Sequence, residues 1–272
     1  MAEPTDTTSD YVEPAALVAA MTKKGIAKAA LGTRDLLLRG VMSGMLLGFA
    51  TAVSFTMVAE GSPGWVGALA FPLGFVILML LGYELVTGNF ALLPTALFAG
   101  RIGVRALARN WTWVFIGNLA GSVVFAGLLY AAVTKFGHQD GGELGRVLVA
   151  RATAKTLAYQ QAGAAVGLST AFVKALLCNW MVATGTVMSL VSRSVAGKTV
   201  AMWLPIFAFF ALGLEHSVVN MFLIPAGILF GGAMTIADWW LWNQLIVTLG
   251  NIVGAAGLVG FVLHRTWGEP AR

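Results

Sequence analysis

The sequence predicts an all-α membrane protein with six transmembrane helices, because its composition is apolar and because long apolar stretches recur along the chain. Of its 272 residues, 58% are hydrophobic and only 11% are charged, whereas about a quarter of the residues of a soluble domain carry charge. About 20 apolar residues suffice to cross a bilayer. Such stretches lie near residues 36–59, 65–86 with a continuation to 99, 111–134, 164–190, 199–230 and 239–263. The lipid bilayer is therefore the expected environment of this chain.

The polar ends of the chain lie outside these stretches. We interpret residues 1–33 as an N-terminal arm with an amphipathic helix, 34–267 as the six-span transmembrane domain and 268–272 as a tail. The first ten residues, MAEPTDTTSD, lack the basic region and short apolar core of a secretory signal. The first span is therefore expected to be retained.

Lysine and arginine are distributed unequally between the two sides of the predicted domain. Twelve lie in the arm, the second-to-third loop, the fourth-to-fifth loop and the tail, whereas the other side carries four: Lys135, Arg146, Arg151 and Lys155. Cytoplasmic loops are enriched in these residues, so both termini are expected to be cytoplasmic, in the cell's inner membrane. The net charge of +5 then reflects topology, and no nucleic-acid partner is expected.

Two of the six stretches contain polar interruptions. TGNFALLP (87–94) interrupts the second stretch, and LEHSVVN (214–220) lies within the fifth. Non-helical backbone at membrane depth is tolerated where it is buried in protein or lines a cavity. We therefore expect the second and fifth helices to be broken.

The two halves of the chain resemble each other. GYELVTGN (82–89) matches GLEHSVVN (213–220) at an offset of 131, and GNLAG (117–121) matches GNIVG (250–254) at an offset of 133. Each half has three spans, so the second copy must enter the membrane from the opposite side. Chance recurrence among 33 glycines is the weaker explanation. Two inverted three-helix repeats predict a site near the midplane, where broken helices direct their dipoles at the permeant.

Few ionisable residues lie within the spans, and each needs a partner or a function. His216 can offer a hydrogen bond or a positive charge to an anion, although a neutral packing histidine is the alternative. Glu84 and Glu215 occupy equivalent repeat positions, and we expect them to accept backbone N–H groups freed at the breaks. Lys174 is expected either to snorkel or to lie at an interface, and no function is needed for it.

Several asparagines could either cross-link helices or line a pore: Asn89, Asn118, Asn179, Asn220 and Asn251. No cluster has metal-ligand spacing and no G-x-S-x-G element occurs, so no metal, cofactor or enzymatic activity is expected.

Several segments together resemble the formate/nitrite transporter family from about residue 14 to 267: ELVTGN (84–89), ALLCNWMV (175–182), GLEHSVVNMFLIPAG (213–227) and VTLGNIVG (247–254). The E-H-S-x-x-N-M pattern is the most specific of these. The resemblance implies an aquaporin-like fold, a homopentamer with one pore per subunit, and a fifth helix broken at His216. It also implies that the second helix opens into a loop at Leu85, Val86 and Thr87, with Thr87 facing His216.

The resemblance further implies two apolar constrictions, formed by Phe71, Phe75 and Phe209 on one side and by Leu85, Val86 and Val182 on the other. The family commonly has a bulkier residue where Val86 stands. Asn179 and Asn251 match asparagines near the pore. Lys155 is the candidate for a vestibule lysine, although it stands further upstream of Asn179 than the family's spacing would place it.

The function implied is transport of a small weak-acid anion, with nitrite first, formate close behind and hydrosulfide also possible. Proton exchange at His216 would let the anion cross as its acid. A neutral-solute pore would carry Asn-Pro-Ala elements, and none occurs. An intramembrane hydrolase using His216 with Ser169 or Ser217 lacks an oxyanion-type glycine motif.

Overall fold

The computed structural model describes residues 9–268, which form helices joined by short turns. In chain order these helices are α1 (Pro14–Ala30), α2 (Thr33–Ala59), α3 (Gly64–Ala70), α4 (Pro72–Leu80), α5 (Val86–Phe98), α6 (Val104–Thr134), α7 (Gly142–Ala154), α8 (Leu157–Gln161), α9 (Ser169–Met188), α10 (Val195–Ala211), α11 (Ser217–Leu229), α12 (Ile236–Trp239), α13 (Leu245–Ala255) and α14 (Val262–Trp267). π-helical turns at Ala164–Leu168, Trp240–Gln244 and Ala256–Phe261 join neighbouring helices into longer ones.

Four of the resulting helices are long and apolar enough to cross a membrane: Thr33–Ala59, Val104–Thr134, Ala164–Met188 and Ile236–Trp267. The remaining apolar helices are shorter and follow one another in two pairs: Gly64–Leu80 with Val86–Phe98, and Val195–Ala211 with Ser217–Leu229. Each pair occupies the position of one interrupted stretch of the sequence.

The first pair is separated by the turn 81–85, which lies before the predicted interruption. Gly82, at φ 70°, ends α4 in the left-handed region, where glycine carries no steric penalty. TGNFALLP (87–94) lies entirely within α5, so the prediction of a break there is wrong. Val86 and Thr87 likewise belong to the first turn of α5, and only Leu85 is non-helical.

The second pair is separated in the same way. α10 ends at Ala211, Gly213 adopts φ 61°, and α11 begins at Ser217 with His216 as its N-cap. The predicted interruption 214–220 thus overlaps the second turn at residues 214–216, whereas the predicted interruption 87–94 lies beyond the first turn.

Two pairs of long helices pack closely against each other around these turns. α2 packs on α6 where Gly121 meets the carbonyl of Val41, and α9 packs on α13 where Gly254 meets the carbonyl of Leu176. A Cβ atom at either glycine would overlap that carbonyl, so small residues are required for this packing.

The N-terminal arm is part of the packed structure. α1 buries Val18, Met21 and Gly25, mainly against α5, so the arm reaches the turn before α5. The remainder of the predicted arm, residues 1–8, and residues 269–272 of the predicted tail lie outside the described residues.

Candidate functional site

The two short helices α5 and α11 begin beside each other inside the protein. Leu85 and His216 are their N-cap residues, both in extended backbone conformation. Thr87 Oγ1 lies 2.9 Å from His216 Nε2, and both residues are buried. The expectation that Thr87 faces the histidine therefore agrees with this geometry.

The histidine ring is oriented by a second hydrogen bond. His216 Nδ1 accepts the N–H of Val219 at 3.1 Å and so caps α11. A nitrogen that accepts carries no proton, so the neutral imidazole has its proton on Nε2 and donates it to Thr87. The hydroxyl of Thr87 then accepts from His216, and its own proton is not donated to the histidine.

Aromatic residues cover one side of this contact. The ring of Phe209 stacks on His216 with a centroid distance of 5.6 Å, and Phe71 meets Phe209 edge-on at 5.6 Å. Phe75 is buried one turn after Phe71 on α4. Leu85 and Val86, next to Thr87 in the chain, are buried, as is Val182 on α9.

Two asparagines hold the starts of the short helices in place. Asn118 Oδ1 accepts the N–H of Val86 at 2.9 Å, and its amide donates to the carbonyls of Gly40 and Glu84. Asn251 repeats the arrangement: it accepts the N–H of Ser217 at 2.9 Å and donates to the carbonyls of Ala175 and Glu215. Backbone groups freed at each turn are thus bonded by an amide from a neighbouring helix.

The carboxylate of Glu84 bonds side chains rather than backbone N–H groups. It accepts Lys28 Nζ at 2.7 Å and the amide of Asn89 at 2.8 Å. The same Asn89 amide also reaches Asn110 Oδ1.

Glu215 is bonded in the same way and by more donors. It accepts Lys155 Nζ and the hydroxyl of Tyr159, both at 2.8 Å, and the amides of Asn220 and Asn243. The expectation that both carboxylates cap freed backbone groups is therefore wrong, because Asn118 and Asn251 already do so.

Asn179 connects the two sets of contacts. Its amide donates to the carbonyl of Thr87 at 3.2 Å and to the carbonyl of Asn251 at 2.7 Å. The first turn of α5 is thereby joined to the residue that holds α11.

One cavity borders each turn. The first, about 340 Å³, is lined by Glu84 and four basic residues, Lys24, Lys28, Arg39 and Lys198. The second, about 310 Å³, is lined by Phe209, Glu215 and three basic residues, Arg151, Lys155 and Lys174. Lys155 therefore lines a basic cavity, while its ammonium is paired with Glu215.

A family model described as "Formate/nitrite transporter" matches residues 15–265. The chain belongs to the formate/nitrite transporter family. The family assignment made from the sequence motifs is thus confirmed, and the chain is a membrane transport protein.

Relatives within the formate/nitrite transporter family are similar over most of their length. The uncharacterised transporter YrhG of Bacillus subtilis is 32% identical over 259 residues, which are 93% of this chain and 92% of YrhG. The formate channel FocA of Haemophilus influenzae is 34% identical over 250 residues, 80% of this chain and 83% of FocA. A solved structure titled "Pentameric formate channel with formate bound" matches with a TM-score of 0.72 at 26% identity, covering 87% of this chain and 98% of that one.

Four members of the two networks were missed from the sequence of this formate/nitrite transporter: Lys28, Asn110, Tyr159 and Asn243. The repeat contained the signal for three of them. The carbonyls of Lys28 and Lys155 accept the amides of Asn110 and Asn243, at 3.0 and 2.9 Å. Extending the repeat alignment beyond its glycines would have paired these residues.

The contacts of His216 also bear on hydrolase chemistry. Its two ring nitrogens contact Thr87 and Val219, whereas Ser217 Oγ has no hydrogen-bond partner within residues 9–268. A serine hydrolase needs its nucleophile bonded to the histidine. In the same range no three His, Cys, Asp or Glu residues are grouped to hold a metal ion.

Proposed function

We propose that this protein is a channel for small monovalent weak-acid anions, with formate the leading substrate and nitrite the second. The observation that carries the proposal is the 2.9 Å contact between Thr87 and His216, at the point where α5 and α11 begin. Helix N-termini carry partial positive charge, so two of them converging on one polar pair favour an anion.

The order of substrates rests on the relatives. FocA is named a formate channel, and the solved relative is titled with formate bound, whereas the preference for nitrite rests on motif resemblance alone. Hydrosulfide remains a further substrate of the same chemical class.

The fold proposed for this function is a pair of inverted three-helix repeats with broken second and fifth membrane helices. The matching contacts of Asn118 with Asn251, and of Glu84 with Glu215, support it. The subunits assemble as a homopentamer, supported by the pentameric relative. Both termini face the cytoplasm, supported by the distribution of basic residues.

Charge selectivity follows from the pairing of the carboxylates. Glu84 and Glu215 are each bonded to a lysine at 2.7 and 2.8 Å, so neither presents an unpaired negative charge to the pathway. The two basic cavities act as vestibules that attract anions. Phe71 and Phe209 on one side, and Leu85, Val86 and Val182 on the other, exclude hydrated ions, so the anion loses its water between them.

At the midplane the anion accepts the hydroxyl proton of Thr87 in a hydrogen bond, while His216 Nε2–H donates to Thr87 Oγ1. Donating a proton outright would require the imidazolium form, which has a proton on Nδ1 as well. That proton would displace the N–H of Val219 from Nδ1. Proton exchange at His216 therefore requires the hydrogen bond between Nδ1 and the N–H of Val219 to open. While that bond is intact, His216 acts only by donating a hydrogen bond to Thr87.

Flux through purified protein in proteoliposomes tests this function. We expect saturable or channel-like uptake of formate and nitrite, little uptake of chloride, and a change in internal pH reported by an enclosed dye. Glycerol uptake without formate uptake would replace the proposal with a neutral-solute pore. Hydrolysis of a reporter ester by the same preparation would favour the hydrolase instead.

The orientation has its own test. Single cysteines at Glu13 and Asp140, in a Cys178→Ala background, lie at exposed positions on opposite predicted sides. In intact cells an impermeant thiol reagent should label only Asp140→Cys, and equal labelling of both would refute the topology.

A further inference from the structure

The cavity beside Glu215 has more basic residues than its carboxylate can neutralise. Arg151, Lys155 and Lys174 line it together with Glu215. Phe209, which stacks on His216, also lines this cavity. An anion in the cavity is therefore separated from the Thr87–His216 contact by the aromatic layer.

Lys155 contributes little net charge to this cavity. Its ammonium bonds Glu215 Oε1 at 2.8 Å and the carbonyl of Leu214 at 3.1 Å. The remaining oxygen of Glu215 is bonded by Asn220 and Asn243. The pair is thus a closed unit, in which the positive charge of the lysine is offset by the carboxylate beside it.

Arg151 and Lys174 have no such partner. Within residues 9–268 no carboxylate lies within ion-pair distance of either. The Arg151 guanidinium lies over the aromatic ring of Phe55, with Cζ 5.9 Å from the ring centroid. Phe55 is another residue of the cavity wall. Lys174 lies half-buried on α9 and lines the cavity.

We propose that Arg151 and Lys174 form an anion-binding site that collects the transported oxyanion at this vestibule. The proposal rests on the proposed function and deepens it. The ligand is a small carboxylate or nitrite, whose two oxygens match the planar fork of a guanidinium. The aromatic layer beyond the site then admits only an anion that can lose its water, so collection and selection are separate steps.

Each of these two positive charges should raise the local concentration of the anion in the cavity. A unit charge about 6 Å from the anion, with water as the medium, changes its local concentration about three-fold. Loss of both charges should therefore lower the local concentration of the anion about ten-fold. Screening acts over about 30 Å at 10 mM ionic strength and about 8 Å at 150 mM, so the site should matter most in dilute salt.

Initial formate uptake into intact cells tests the proposal from one side of the membrane. External ionic strength is raised from 10 to 150 mM with sodium gluconate, and sucrose keeps the osmolarity constant. Wild-type uptake should fall as salt rises. Arg151→Gln with Lys174→Gln should start about ten-fold lower at 10 mM and respond little to salt. Arg151→Lys with Lys174→Arg should keep both properties, which separates charge from misfolding.

Lys198→Gln provides the matched control, because it removes one positive charge from the cavity beside Glu84. External salt should affect this variant as it affects the wild type. A double variant with wild-type uptake and salt response would overturn the proposal.

A second measurement does not depend on transport. Ala154→Cys places a thiol in the wall of the cavity, and its rates of reaction with an anionic and a cationic methanethiosulfonate report the local potential. Removing both charges should slow the anionic reagent about ten-fold relative to the cationic one. An unchanged ratio would refute the site. The expected change of ratio in a protein that takes up no formate would retain the anion site and refute the proposed function.

Discussion

The surroundings of Glu84 and Glu215 are built on the same plan. In each, a buried glutamate bonds a lysine and an asparagine five residues further along the chain, and a second asparagine bonds the carbonyl of that lysine. In each, another asparagine caps the helix that follows. In both regions these contacts fix the turn and the start of the short helix that follows it.

The difference between the two regions lies at the helix starts. Leu85 stands at the N-cap of α5, whereas His216 stands at the N-cap of α11 and reaches Thr87. Glu215 also has two donors without a counterpart at Glu84, the hydroxyl of Tyr159 and the amide of Asn243. The repeated residues therefore form the scaffold. His216 and Thr87, which do not follow the repeat, form the polar contact between the two helix starts.

The N-terminal arm contributes to the surroundings of Glu84. Lys28 belongs to α1, before the first span, and bonds Glu84 as Lys155 bonds Glu215. The first half is thus complete only when the arm is included. A division between arm and transmembrane domain at residue 33 would separate this lysine from its partner.

The largest expected effect separates the two carboxylates. Glu84→Gln and Glu215→Gln each leave a partly exposed lysine, with 17% and 14% of its side chain accessible, without its counter-ion, which costs at most about 3–5 kcal/mol. Glu215 additionally loses its bonds to Tyr159 and Asn243, which have no counterpart at Glu84, each contributing about 1 kcal/mol. Glu215→Gln should therefore lower the unfolding temperature in detergent more than Glu84→Gln does. Equal shifts would mean that the additional donors of Glu215 add no stability.

A smaller effect concerns the apolar residue at the start of α5. Val86→Phe adds a ring beside Thr87, where the family commonly has a bulky residue, and should slow formate flux several-fold without changing the unfolding temperature. Val86→Leu serves as a control of intermediate size. Unchanged flux in the phenylalanine variant would show that residue 86 does not border the pathway.

The smallest expected effect concerns a contact made by the N-terminal segment before α1. The carboxylate of Asp10 accepts the hydroxyl of Ser192 and the N–H groups of Arg193 and Ser194, each at 2.8 Å. These bonds, with that of Ser192 first, lower the pKa of Asp10 below its ordinary value of 3.8. The contact is therefore complete above that value and is lost as the pH falls through the lower pKa of the folded protein.

Hydrogen exchange at the amide of Val12, which donates to the carbonyl of Val191, measures this contact. Exchange corrected for intrinsic rate should be constant at neutral pH and accelerate only below about pH 4. Asp10→Asn should accelerate it at neutral pH and remove its dependence on pH. Equal protection in the variant and the wild type would show that Asp10 does not hold the segment.

Much of this arrangement could be predicted from the sequence, because hydrophobic length and recurring motifs are local signals. The family, the apolar stretches and the matched pairs around Glu84 and Glu215 were found in this way. The position of the turn before α5 was not, since Thr87, Asn89 and Pro94 resemble helix breakers while Asn118 stabilises the helix start before them. The lysine partner of Glu84 was missed because Lys28 lies in a polar arm, far from it in sequence.

Formate flux through variants of His216 tests the central claim most directly, that the pathway passes the Thr87–His216 contact. His216→Phe keeps a planar ring but removes the donor that orients the Thr87 hydroxyl, whose own hydrogen bond to the charged anion contributes about 1.5–3 kcal/mol. Flux should therefore fall at least about ten-fold while the oligomer stays assembled.

His216→Asn keeps a donor but cannot take up a proton. It should retain part of the formate flux and change the dependence of that flux on pH. Wild-type rates and pH profiles in both variants would contradict the account and leave His216 as a packing residue.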